Sequence, residues 1–116
     1  MNALVERSRV ELLAGEPEII DTPSESGKGQ RIARCPACKV AVWSHYAGAG
    51  PAIAFVRVGT LDNPDAFPPD IHIFTSSKQP WFRLPDDAKA VPEYYKPREV
   101  WTPEAIERYK RATAVG

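Results

Sequence analysis

The chain has 116 residues, 43% hydrophobic and 26% charged, and its fifteen basic residues balance its fifteen acidic ones. This size and composition predict one small globular domain with a modest core. The zero net charge creates no field that would attract nucleic acid or an anionic membrane, so neither is predicted as a partner. Twelve prolines and seven glycines exclude long helices over most of the chain and favour short strands joined by turns.

The sequence also indicates where the protein works. No apolar segment approaches the roughly 18 residues of a membrane-spanning helix, and residues 1–7 lack the charged start and apolar core of a signal peptide. A cytoplasmic protein without a membrane association is therefore predicted. In that compartment a close cysteine pair is more often a metal or redox site than a structural disulfide.

Short strands are predicted in the first half of the chain, where apolar and β-branched residues cluster between turn residues. They are Asn2–Glu6, Glu18–Asp21, Gln30–Arg34, Val40–Tyr46 and Ala52–Val58. The segment Thr22–Gly29 is predicted to be a turn or mobile loop. The glycine-rich turn between the last two strands predicts a hairpin.

The second half of the chain is predicted to be less regular. Leu61–Asp70 reads as a loop with at most one helical turn, and Ile71–Phe74 as a further strand. A short helix is predicted over Pro103–Ala112, because Thr102 can cap it and proline is favoured at the first helical position. The chain is thus expected to be mainly β with a short C-terminal helix.

The two cysteines of the chain, Cys35 and Cys38, lie in the run Arg34–Lys39. Two thiolates on a tight turn can chelate zinc from one side, and structural zinc takes four ligands, so this spacing predicts half of a zinc site. A dithiol redox site is a second interpretation, although such cysteines usually sit at a helix N-terminus and strand-like residues follow here. A pair without any metal is the third.

The two histidines are weaker candidates. His45 follows Cys38 by seven residues and could swing toward a metal, but a partly buried or edge histidine is the favoured interpretation. His72 alternates with Ile71 and Ile73, so it faces away from them. If the isoleucines belong to the core, His72 is exposed or lines a cleft, and a structural role is favoured over a catalytic one.

An aromatic group marks the C-terminal part of the chain: Trp81, Phe82, Tyr94, Tyr95 and Trp101. Such residues are expected to pin an irregular segment onto the core. Four basic residues lie among them, which makes an anionic ligand an alternative: Lys78, Arg83, Lys96 and Arg98.

Three motifs in succession carry a resemblance to a known family. They are Arg34-Cys35-Pro36-Ala37-Cys38, Gly59-Thr60-Leu61-Asp62-Asn63-Pro64 and Pro68-Pro69-Asp70-Ile71-His72-Ile73, and the pattern continues through Lys78, Pro80, Trp81 and Leu84–Asp87. Together they resemble the family of glutathione-dependent formaldehyde-activating enzyme and centromere protein V, from about Asn2 to Tyr95. The resemblance implies small, tent-like, antiparallel β-sheets associated with zinc. It divides the chain into a family domain at residues 1–96 and an extension at residues 97–116.

The resemblance also implies a ligand set. In the family a structural zinc is bound by an early Cys-x-Cys and a late Cys-x-x-Cys, and a catalytic zinc by a cysteine cluster between them. Cys35 and Cys38 match the late pair, and all other positions would lie before Met1. The expectation is an N-terminally truncated zinc-binding domain of carbon–sulfur lyase type that contains no catalytic residue. Lys39 stands where the family usually has glycine.

The resemblance implies glutathione or a glutathione adduct as the partner. The half-site of two cysteines adds the expectation of a homodimer, in which a second copy of the chain would complete four sulfurs. Two other functions stay open. One is a non-enzymatic binding domain that uses the aromatic and basic C-terminal region. The other is a thiol redox protein that uses Cys35 and Cys38.

Overall fold

A computed structural model describes residues 1–24 and 27–115. Glu25 and Ser26, at the centre of the loop predicted over Thr22–Gly29, lie outside the described residues, as does Gly116. The structure confirms the mainly β prediction.

Five strands form one open antiparallel sheet in the order β1-β5-β4-β3-β2. They are β1 (Asn2–Glu6), β2 (Glu18–Thr22), β3 (Gln30–Arg34), β4 (Ala41–Tyr46) and β5 (Ile53–Arg57). Strands β2 to β5 follow one another as a meander, and β1 pairs with β5 at the far edge. All five strands predicted in the first half are confirmed, and so is the β4–β5 hairpin. The described residues thus form a single sheet, where the resemblance implied several.

The core lies on both faces of this sheet, because successive side chains of a strand point to opposite faces. On one face, Ala33, Trp43 and Ala54 form a buried cluster that spans β3, β4 and β5. On the other face, Ile32 and Ile53 are buried. Burial on both faces fixes the register, since a shift by one residue would exchange the two sets.

Two helices follow the sheet: α1 (Pro97–Val100) and α2 (Pro103–Val115). The predicted C-terminal helix is confirmed and ends three residues later than expected. It contacts β1 and β5, and the Arg108 guanidinium lies 3.5 Å from the Glu6 carboxylate. No helix in the described part of the chain is long and apolar enough to cross a membrane.

The strand predicted at Ile71–Phe74 is wrong. His72 forms one isolated parallel bridge with Ala90, and Phe74 has left-handed backbone geometry with φ of 53°. Ile73 is 38% exposed, so the premise that both isoleucines are core residues also fails. The pattern misleads because an alternating apolar run becomes a strand only where packing and a pairing partner support it.

Replacing Thr102 by alanine is expected to lower the free energy of unfolding by about 1 kcal/mol. The Thr102 hydroxyl accepts a hydrogen bond of 3.1 Å from the Ala105 backbone N–H, and alanine leaves that donor without the cap. The variant Thr102→Ser keeps the hydroxyl and serves as the control. Urea denaturation monitored by circular dichroism measures both, and equal losses in the two variants would contradict the capping role.

Candidate metal centre

The two cysteines lie at the tip of the hairpin that joins β3 to β4. The Cys35 backbone N–H donates to the Val40 carbonyl at 2.9 Å, and the Lys39 N–H donates to the Cys35 carbonyl at 2.8 Å. The pairing register shifts between Ala33 and Arg34, just before the turn. A shift of this kind bends the strand and re-aims the residues that follow it. Both cysteines are therefore held on one rigid turn at the end of the sheet.

The turn also provides an environment that suits a thiolate. The backbone N–H groups of Cys38 and Ala37, and then the Cys38 thiol, hydrogen-bond to the Cys35 sulfur and lower the pKa of the Cys35 thiol, although burial opposes them. A hydrogen bond to the charged form favours that form, and the thiolate is the form that binds metals. Cys35 is partly buried, Cys38 is exposed, and neither forms a disulfide.

Zinc fits this pair as two of its four ligands. Among residues 1–24 and 27–115, however, no group of three or more Cys, His, Asp or Glu side chains is placed to hold a metal. The chain thus presents two sulfurs, and the structure adds no third ligand from its described residues. Redox cysteines usually lie at a helix N-terminus, which stabilises the thiolate. Strand β4 follows this turn, so the redox interpretation lacks that support.

His45 does not join the cysteines. A ring nitrogen, Nδ1, lies 2.8 Å from the Ile53 carbonyl oxygen, and because a carbonyl only accepts, Nδ1 carries the proton there. The favoured interpretation of a partly buried structural histidine is confirmed by this contact. His72 lies in the bridged segment after β5, half-buried, and also outside any such ligand group.

Lys39 occupies a position that glycine would suit better. Its φ is 66°, in the left-handed region that side chains with a Cβ disfavour. Its ammonium group forms an ion pair of 2.7 Å with the Glu18 carboxylate, and its carbonyl accepts a 3.0 Å hydrogen bond from Arg34. This backbone geometry gives a physical reason for the glycine that the resemblance places after the second cysteine.

Lys39→Gly is expected to be more stable than Lys39→Ala by about 1 kcal/mol. Both variants lose the exposed ion pair to Glu18, which contributes at most about 1 kcal/mol, and only glycine relieves the left-handed strain. Thermal and urea unfolding of the metal-free variants measure the difference. Equal stability of the two would show that the turn relaxes around any residue.

A groove of about 500 Å³ opens on the sheet face that carries Trp43. The Trp43 ring is buried, its Nε1–H finds no acceptor among the described residues, and the Arg7 guanidinium lies 5.6 Å from the ring centroid. Residues from β1, the segment after β1, β4, β5 and the segment after β5 line it: Ala3, Val5, Arg9, Val10, Val42, Trp43, Val56, Thr60, Leu61, Asn63 and Phe67. Sequence reasoning missed this groove, although the Gly59–Pro64 motif contributes three of its residues and was the available signal.

The aromatic group divides into two parts. The Trp101 Nε1–H donates to the Tyr95 hydroxyl at 2.9 Å, and the Trp101 ring packs against Tyr109 of α2 at 5.3 Å, so these residues do pin the segment to the helix. The expectation is wrong for Trp81, which is 75% exposed. Partial burial, and then a hydrogen bond with Tyr95, raise the pKa of Tyr94 above its ordinary value.

These features define a class of protein: a small antiparallel β domain with a Cys-x-x-Cys turn at the tip of one hairpin. The sequence model of the glutathione-dependent formaldehyde-activating enzyme family matches residues 1–77, about two thirds of the chain. The chain belongs to this family. No curated protein and no solved structure matches it.

Proposed function

We propose that the chain is a zinc-binding domain of the glutathione-dependent formaldehyde-activating type, with Cys35 and Cys38 as zinc ligands. The observation that carries this proposal is the turn itself, where backbone hydrogen bonds from Cys35 to the Val40 carbonyl and from Lys39 to the Cys35 carbonyl hold two free thiols on one hairpin tip. When bound by thiolates in a structural site, zinc supplies free energy that stabilises the fold. No described residue is assigned a catalytic role.

Elemental analysis of the purified chain tests the metal proposal. Zinc is expected in the wild type and absent from Cys35→Ser and from Cys38→Ser, because serine does not replace a thiolate ligand. His45→Gln serves as the control and should keep its zinc, since the His45 ring is engaged by the Ile53 carbonyl. Zinc retained by both serine variants, or absent from the wild type, would refute the proposal.

We further propose that glutathione, or an adduct of it, binds in the groove beside Trp43. The family match supports glutathione as the partner. The groove volume of about 500 Å³ lies within the range of small-molecule sites. Its lining is mostly apolar, with Asn63, Thr60 and Arg9 as polar groups.

The three tryptophans report on three different surfaces, so NMR of their indole N–H groups can locate glutathione. We expect the Trp43 signal to shift as glutathione is added, while the signals of Trp81 and Trp101 stay in place. Trp81→Phe and Trp101→Phe variants assign two of the three signals, and thereby the third, at positions outside the groove lining. A shift confined to Trp81, or no shift at millimolar glutathione, would contradict binding in the groove.

A second candidate function is a binding domain without enzymatic activity. The exposure of Trp81, Phe82 and Tyr94 favours it, because large aromatic side chains that remain accessible are typical of interaction surfaces. Lys78 and Arg83 lie beside them in the sequence. On this alternative the domain keeps its fold and its unfolding temperature after chelation, whereas the zinc proposal predicts a lower unfolding temperature.

A further inference from the structure

We infer that a second copy of this chain completes the zinc site, so that Cys35 and Cys38 of two subunits hold one metal ion across a twofold axis. The inference rests on the zinc binding proposed above and adds the identity of the missing ligands. It concerns the hairpin tip between β3 and β4 and the residues beside it.

The number of ligands supports this arrangement. Structural zinc takes four ligands in a tetrahedron, and the described residues place two sulfurs on the turn with no third Cys, His, Asp or Glu grouped with them. Two identical pairs related by a twofold axis give four sulfurs in that geometry. A symmetric contact of this kind uses the same surface on both subunits and closes on itself.

The hairpin tip is accessible to a second copy. Pro36, Ala37 and Cys38 are exposed. Ala37 is small and Pro36 is rigid, so neither would obstruct a neighbouring turn. The turn lies between β3 and β4 and is closed by its own backbone hydrogen bonds. Its two sulfurs can therefore meet a second pair without unfolding either hairpin.

Apolar residues flank the metal half-site. Val40 is 50% exposed and Ile19 is 51% exposed. The Val40 carbonyl accepts the hydrogen bond of Cys35, and Ile19 lies opposite Ala33, two residues before Cys35. Burial of such side chains between two subunits adds a hydrophobic contribution to the metal–ligand bonds.

The charges beside the turn also suit a shared site. A zinc ion with four thiolates carries a net charge of −2, and each subunit brings Arg34, whose guanidinium donates to the Lys39 carbonyl 3.0 Å away. Lys39 itself is paired with Glu18, whereas Arg34 has no carboxylate partner among the described residues, so each copy contributes about one uncompensated positive charge. The whole chain has zero net charge, so two copies do not repel each other at long range.

Native mass spectrometry with a zinc titration tests the inference. The expected result is one zinc per two chains, a dimer that forms as zinc is added, and a return to monomer with a chelator. Substitution by Co²⁺ should give the absorption of a tetrahedral four-thiolate site at half an equivalent of metal. Cys38→Ser should stay monomeric under the same conditions.

Matched charge variants test the interface itself. Val40→Glu should weaken zinc-dependent dimerisation at least tenfold, because the new carboxylates are placed beside an anionic metal centre. Trp81→Glu introduces the same charge on an exposed apolar residue of the C-terminal segment and should leave the dimer unchanged. Equal effects of the two variants would overturn the placement of the interface.

The outcomes separate this inference from the proposed function. One zinc per chain in a monomer overturns the shared site and leaves zinc binding by Cys35 and Cys38 standing. No zinc in the wild type overturns both. A dimer that persists without metal, or in Cys38→Ser, overturns the shared site as well.

Discussion

Trp43→Ala should lower the free energy of unfolding by roughly 3–5 kcal/mol, the range found when a large buried aromatic side chain is truncated. Trp43 is buried between Ala33 and Ala54 on neighbouring strands, with Val10, Val42 and Val56 packed around the cluster. Alanine would leave a cavity that these small neighbours cannot fill. Urea denaturation of the metal-free chain measures the effect independently of any zinc bound at the hairpin.

Trp43→Phe is the matched control. It keeps an aromatic ring between the same alanines, and it removes an indole N–H that has no acceptor among the described residues. Removing this unsatisfied buried donor avoids a desolvation penalty of about 1–3 kcal/mol. This gain offsets part of the free energy lost with the packing contacts of the larger ring. Phenylalanine should therefore cost much less than alanine, and similar losses in the two variants would show that Trp43 is not packed as described.

Arg57→Met should cost roughly 1–3 kcal/mol by leaving a buried hydroxyl without its partner. Arg57 of β5 donates to the Ser44 hydroxyl of β4 at 2.7 Å and to the Asn2 side chain of β1 at 3.0 Å. The guanidinium therefore links three adjacent strands. Ser44 is fully buried, so water does not replace the lost donor.

A double-mutant cycle isolates this contact. Ser44→Ala removes the acceptor, and the double variant removes both partners, so it should be more stable than the sum of the single losses predicts. Free energies from urea denaturation of the four proteins give the coupling, expected to be about 1 kcal/mol or more. Additive losses would show that the Arg57–Ser44 hydrogen bond contributes nothing to stability.

Local sequence patterns predicted the strands well where a run of apolar and β-branched residues is bounded by turn residues. Gln30–Arg34 is a strand with the bounds predicted, and the glycine-rich turn after Tyr46 joins two antiparallel strands. Ile71–Phe74 has a similar pattern but no sheet to join. A strand needs a partner as well as a pattern, and the partner is set by distant parts of the chain.

The candidate site shows the same division. The spacing of Cys35 and Cys38 alone predicted a shared turn, because residues three apart at a hairpin tip must lie close together. The left-handed backbone of Lys39 was not predictable from the cysteine spacing, since lysine does not favour that region. Its ion pair with Glu18 depends on how β2 lies beside the turn. The groove beside Trp43 draws residues from several strands and could not be seen in any one segment.

The sequence by itself determined the family, the five strands of the sheet, the capped C-terminal helix and the cysteine turn. Each of these is encoded by residues close together in the chain, through side-chain period, turn preference or motif spacing. The tertiary structure decided that β1 returns to pair with β5, that Trp43 lies under a groove, and that Trp81 stays exposed. These three features depend on which distant parts of the chain pack together and exclude water. Hydrophobic burial is non-directional, so a local sequence pattern does not specify the packing partner.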